Sequence, residues 1–201
     1  MSKVLYIKAN PKSNDESNTF KLSEEFITAY RHYHPGDEIT TLDLYKEGIH
    51  PLDKGELNAI FGEKTSESVN HPVLKYAYQF VSFDKYVFSA PMWNLSIPSI
   101  LKAYIDYICV AGITFRYTEE GPVGICKNKK AAHITTRGGV YSEGAFAPYE
   151  MGDKYLRTIL GFLGIENIVT ISAEKLNIVG EDYESIMRKA IAKARDEAKN
   201  F

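Results

Sequence analysis

The sequence predicts one α/β domain over residues 1–201, a doubly wound sheet of five parallel strands in the order 2-1-3-4-5. Three observations carry that expectation. Short apolar runs at Val4–Ile7, Glu38–Leu44, Tyr86–Ala90, Ala131–Thr135 and Ile168–Ser172 have the length and composition of strands. Between them lie segments whose apolar residues recur at helical spacing. The loops after the first, third and fourth runs are unusual: one rich in hydroxyls and amides, one Met-Trp-Asn, one Arg-Gly-Gly. In that strand order all three loops meet at the carboxyl edge, at the crevice where the winding reverses.

In chain order, Val4–Ile7 is a buried strand ending in a polar loop, Lys8 to Thr19. Leu22, Phe26, Ala29 and Tyr30 then share one helix face. Strand, polar loop and helix is the layout that gathers backbone N–H groups and hydroxyls around a phosphate. The loop has no glycine, so it is neither a Walker loop nor a G-x-G-x-x-G fingerprint. Ser17, Asn18 and Thr19 read as a phosphate seat at the helix start; an ordinary N-cap accounts for the same residues. Pro35-Gly36 closes the helix, and Glu38–Leu44 alternates enough to be an edge strand. Residues 46–72, broken by Gly48, Pro51, Gly55, Gly62 and Pro72, read as irregular, with room for one short helix. Val73 to Phe83 reads as the helix feeding the third strand.

The third strand runs into Pro91-Met92-Trp93-Asn94-Leu95, which holds the only tryptophan. An apolar cluster in a loop at the ligand edge calls for something planar to pack on it. Ile97, Ile100, Leu101, Tyr104, Ile105 and Ile108 then form one helix face, with Pro98 placed for its first turn. Gly112 to Ile125 centres on Glu119-Glu120-Gly121-Pro122 and reads as a protruding loop or small hairpin. Its aromatics suit either a partner subunit or site lid, or simple packing on the home domain. The fourth strand ends in Thr136-Arg137-Gly138-Gly139, where backbone can approach a ligand without Cβ obstruction and Arg137 can bring charge; a tight turn is the plain alternative. His133, inside that strand, reads as a satisfied core histidine. A helix through Met151, Tyr155, Leu156, Ile159, Leu160 and Leu163 stops at Gly164. After the fifth strand, the last helix carries Tyr183, Ile186, Met187, Ala190, Ile191 and Ala194 on one face. The charges near its end are a solvated face.

Composition narrows the function. The hydrophobic fraction of 44% is that of a folded chain, and a net charge of −2 disfavours a general binder of nucleic acid or membrane surfaces. No run approaches the roughly 18 apolar residues of a membrane span. MSKVLYIKAN starts a strand at once, so no signal peptide is expected, and the cytoplasm is the expected compartment. Cys109 and Cys126 are too few and too far apart for a metal knuckle or a CxxC pair. Cys109, among apolar neighbours, is expected to be buried. There is no G-x-S-x-G, no H-E-x-x-H and no cluster with metal-ligand spacing, so neither a catalytic side chain nor a metal is expected.

A polar loop for phosphate, an apolar-aromatic loop for a flat face and a Gly-Gly loop for a polar ring edge together describe FMN. Four stretches extend this reading. Residues 90–98 (APMWNLSIP), 111–124 (AGITFRYTEEGPVG), 136–141 (TRGGVY) and 160–165 (LGFLGI) resemble the FMN-dependent NADH-azoreductases. The resemblance implies a flavodoxin-like homodimer with one FMN per subunit near the dimer interface, reducing quinones and azo compounds with NADH. It places the phosphate on Ser17, Asn18 and Thr19, with Asn10 standing in for a serine that many relatives carry. The ring would lie along Pro91, Met92, Trp93, Asn94 and Leu95, its polar edge at Thr136, Arg137, Gly138 and Gly139. Phe115, Tyr117 and Phe162 would shape the substrate pocket across the interface. One exposed ring face serving donor and acceptor implies ping-pong kinetics. A flavodoxin-type electron carrier is the alternative; the chain lacks the Thr/Ser-Gly phosphate loop and acidic surface usual there.

Overall fold

The structure is a computed structural model and describes residues 1–201. Its strands in the main sheet are β1 (Lys3–Lys8), β2 (Glu38–Asp43), β3 (Lys85–Ser89), β6 (Lys130–Thr136) and β7 (Asn167–Ala173). They are all parallel, in the order β2-β1-β3-β6-β7, which is 2-1-3-4-5 counted within the sheet. A separate antiparallel hairpin, β4 (Phe115–Thr118) and β5 (Gly121–Gly124), fills the protruding segment.

Side chains alternate across a strand, so each strand supplies two cores. Val4 and Tyr6 meet Val87, Ala132 and Ile134 under α1 (Asn18–Tyr33) and α6 (Tyr183–Asn200). Leu5 and Ile7 join Tyr86, Phe88 and Ala131 on the other face, under α3 (Leu74–Val81), α4 (Ser99–Ile108) and α5 (Gly152–Phe162). The strands are buried on both faces, which is why they read as continuous apolar runs. Phe80 stacks on Tyr86 at 4.1 Å between centroids, and the Tyr86 hydroxyl donates to the Phe80 carbonyl. Each such buried aromatic contributes on the order of 1.5–3 kcal/mol.

The helices start and stop close to where the sequence places them. Pro98 stands just ahead of α4 rather than inside its first turn. Gly164, with φ +98°, is the left-handed residue after α5 that a C′ position needs. Residues 46–72 hold α2 (Lys54–Phe61) and a 3₁₀ turn, Ser66–Asn70. The start of α2 is a capping box: Asp53 accepts from the Glu56 N–H, and Glu56 accepts from the Asp53 N–H. A second 3₁₀ turn, Gly144–Tyr149, lies between β6 and α5.

The hairpin is seated on α5 by close backbone approach as well as by the buried Phe115. A Cβ on Gly124 would lie 2.1 Å from the Leu163 carbonyl carbon, so only glycine lets β5 rest on the end of α5. His133 is buried, its Nδ1 2.8 Å from Asp153 Oδ1, while its Nε2 has no partner; the core reading holds at one nitrogen. Cys109 departs from expectation. It is only partly buried, at the rim of a groove beside α4, and Cys126 is the fully buried thiol.

Candidate functional site

The three unusual loops do meet. Asn10, Ser17, Asn18, Thr19, Pro91, Met92, Trp93, Thr136, Arg137 and Gly138 line one crevice at the carboxyl ends of β1, β3 and β6. Asn94, Leu95 and Gly139 adjoin it without forming its wall.

Ser17 is both an N-cap and a member of the seat. Its Oγ accepts from the Phe20 N–H at 3.2 Å and from Asn10 Nδ2 at 3.0 Å, leaving its own hydrogen free to donate. The N–H groups of Asn18 and Thr19, at the positive end of α1, find no acceptor in the protein. Thr19 and Thr136 share a 2.5 Å hydrogen bond that ties the start of α1 to the end of β6. Tyr183 donates to Asn18 Oδ1 at 2.7 Å, so α6 orients that side chain as well.

The middle loop is a tight hairpin turn. Trp93 and Ser96 exchange two backbone hydrogen bonds of 2.9 Å, with Asn94 at φ +47° and Leu95 at φ +69° between them. Positive φ at both central residues is the type I′ pattern, in which asparagine is common and leucine is strained. The Met92 N–H donates to the Thr136 carbonyl, and the Met151 N–H to the Leu95 carbonyl, so the turn is pinned from both sides. Trp93 stays 39% exposed, an apolar surface presented at the crevice.

At the third loop, the N–H groups of Gly138 and Gly139 also lack a protein acceptor. A Cβ on Gly138 would meet Asn177 Nδ2 at 2.7 Å, so any other residue there would make the Asn177 side chain shift. Arg137 is not the free charge the sequence suggested. It is buried between Glu174 (2.8 Å) and Glu150 (3.2 Å). Burial would raise the Glu174 pKa; hydrogen bonds from Ser142, Arg137 and the Tyr141 N–H outweigh it and hold the carboxyl below its ordinary range.

Lys12, Glu16, Leu176 and Asn177 line the same crevice, though sequence reasoning did not select them. The signal for the last two was topological, since the loop after β7 also lies at the carboxyl edge. Glu16 is kept ionised by the Ser13 hydroxyl and N–H.

Phe115, Tyr117 and Phe162 form one aromatic cluster away from the crevice. Phe115 lies 4.8 Å from Phe162 and 5.4 Å from Tyr117, centroid to centroid. Phe115 and Phe162 line an apolar groove of about 710 Å³ with Leu57, Phe61, Ala103 and Cys109. Within one chain the cluster therefore lines no part of the crevice.

The donors at two ends of the crevice and the apolar wall between them fit a flat ring carrying a phosphate. Residues 2–198 match the family model described as flavodoxin-like fold. The chain belongs to that family. It is 63% identical, over the full length of both chains, to FMN-dependent NADH:quinone oxidoreductase 2 of Clostridium acetobutylicum. The corresponding oxidoreductase of Caldicellulosiruptor saccharolyticus is 59% identical, again over both full lengths. Among solved structures, an azoreductase of Bacillus anthracis str. Sterne superposes with a TM-score of 0.91 at 40% identity, covering all of both chains. An FMN-dependent NADH-azoreductase of Bacillus anthracis str. Ames Ancestor, solved in complex with FMN, gives 0.89 at 30% identity, over 100% of this chain and 99% of that one. No helix in the flavodoxin-like chain is long and apolar enough to cross a membrane.

Proposed function

We propose that the chain is an FMN-dependent NADH:quinone oxidoreductase and azoreductase. It works as one domain (residues 1–201), as a cytoplasmic homodimer with one FMN per subunit. The observation that carries the reading is the convergence of three chemically different loops on one crevice, with unclaimed N–H donors at both ends and Trp93 on its wall. The names of the relatives point the same way.

Bound FMN would supply the redox chemistry, two-electron transfer from NADH to a quinone or azo acceptor. The residues supply placement. The Asn18 and Thr19 amides with the Ser17 hydroxyl, itself fixed by Asn10, hold the phosphate through charge-assisted bonds. Pro91, Met92 and Trp93 back the ring, and Asn94 and Leu95 fix their angle by closing the turn. Thr136 and the Gly138 and Gly139 amides take the polar edge and favour negative charge there. No acid or base side chain is required at the reacting atom, so acceptor protons come from water.

The apolar groove supports the dimer. Phe61 on the groove is 82% exposed and Tyr117, packed beside Phe115, is 73% exposed, apolar surface that a second copy would cover. Donor and acceptor use one face in turn, which gives ping-pong kinetics. The test is a visible spectrum of the purified protein, followed by anaerobic NADH and then a quinone. Flavin absorbance that bleaches by two electrons and returns with quinone is expected, with parallel lines in initial-rate plots. A protein that stays colourless with added FMN overturns the cofactor reading; intersecting lines overturn the ping-pong scheme.

A further inference from the structure

Arg137 is 4% exposed at the end of β6, and its two terminal nitrogens are taken by carboxylates from different elements. Glu174, just past β7, also accepts from the Tyr141 N–H at 3.0 Å and the Ser142 hydroxyl at 2.6 Å. Glu150, just before α5, accepts from the Asp153 and Lys154 N–H groups and so caps that helix. The guanidinium thus joins three segments around the ring side of the crevice. The Gly138 and Gly139 carbonyls are held by the Asn177 and Lys175 N–H groups from the Glu174 side of this frame.

The charges do not cancel. Counted by itself, one guanidinium against two carboxylates leaves this trio at −1, its side chains only 4%, 11% and 13% exposed, while Asp153, Lys154, Arg157 and Lys193 in the adjoining pocket stay the same in every variant below. Charge so placed is little screened by salt. The ionised state of Glu174 is secured by its donors.

We infer that Arg137 is a positioning residue and that the Glu150–Arg137–Glu174 frame sets the reduction potential of the flavin in the crevice. Its residual negative charge opposes the negative charge that reduction adds to the ring, while the Gly138 and Gly139 amides favour it. The inference rests on the flavin site proposed above.

The test is the midpoint potential of the holoenzyme, with dissociation constants for oxidised and reduced FMN. Glu174→Gln makes the frame neutral at nearly constant shape. Its potential should shift positive, with reduced FMN gaining about threefold or more over oxidised FMN. Arg137→Met takes the frame to −2 and should shift the potential negative. The double variant returns to −1 and should come back towards the wild-type potential, although its ion pair with Glu174 is gone. A general loosening would move the single variants the same way and the double variant further, and that result overturns the inference. So does an unchanged potential in variants that bind FMN. If Arg137→Met fails to fold, Glu174→Gln and Glu150→Gln decide, since both must shift positive. Failure of the wild-type protein itself to take up FMN overturns the site reading instead.

Discussion

The crevice and the apolar groove are built in opposite ways. The crevice is polar, and its side chains are held by one another before any ligand arrives: Asn10 holds Ser17, Tyr183 holds Asn18, and Glu150 and Glu174 hold Arg137. Its remaining donors are mostly backbone N–H groups, which cannot swing away. The groove is lined mainly by apolar side chains, with Phe61 largely exposed. Its ion pair along α4, Lys102 to Asp106, is exposed and worth little. A rigid polar site selects one ligand by geometry, whereas an apolar face gains its free energy when a second surface covers it. The two regions should therefore answer to different perturbations.

The largest effect is expected on the groove side. Gly124→Val would drive a Cβ into the Leu163 backbone, lifting the hairpin off α5. The expected loss is about 3 kcal/mol, at the upper end for overpacking, since backbone cannot rotate away as a side chain can. Chemical denaturation measures it; a loss under about 1 kcal/mol would mean the hairpin is loosely seated. Phe61→Glu comes next. Phe61 is so exposed in the single chain that monomer stability should barely change. The dimer should weaken about a hundredfold, roughly 2.7 kcal/mol, because a charge would be buried at the contact. Sedimentation equilibrium reads this directly, and an unchanged association constant would move the interface elsewhere.

On the crevice side the effects are smaller and confined to the ligand. Ser17→Ala removes an N-cap and a phosphate donor together. FMN should bind about tenfold more weakly, and the apoprotein should lose about 1 kcal/mol. Titration of the apoprotein with FMN separates the two: a stability loss with unchanged FMN affinity would leave Ser17 a cap alone.

How much of this was legible depends on how local the cause is. The five strands and most helix ends follow from runs and caps within a few residues. The crevice was legible because its three loops are contiguous stretches, Asn10 to Thr19, Pro91 to Leu95 and Thr136 to Gly139, each with a composition its neighbours lack. Asn177 was missed because Leu-Asn-Ile-Val looks ordinary until β7 puts it opposite Gly138. The pairing of Arg137 was missed because its partners lie 13 and 37 residues further along the chain, in segments with no reason of their own to be acidic. Phe115 and Phe162 stood out as aromatics, but their seat in a groove shared with α2 required the tertiary fold. The capping box at Asp53 and Glu56 was present in the sequence and would have placed α2.

The smallest effect sharpens the comparison most. Leu95 sits at φ +69°, where a non-glycine residue costs about 1–2 kcal/mol relative to its relaxed conformation. The residue is only 39% exposed, so truncation also forfeits burial that offsets much of that gain. Leu95→Gly should therefore stabilise the apoprotein only slightly, by at most a few tenths of a kcal/mol after the lost burial and the extra chain entropy glycine brings to the unfolded state, a Tm rise of about 1 °C or less. The same change loosens the turn that fixes Trp93, so FMN should bind slightly more weakly even as the fold gains. Opposite signs in thermal unfolding and FMN titration are the signature of strain kept for placement. A Leu95→Gly protein less stable than wild type would mean that the leucine side chain packs productively, and that the turn holds Trp93 by contact instead of by backbone geometry.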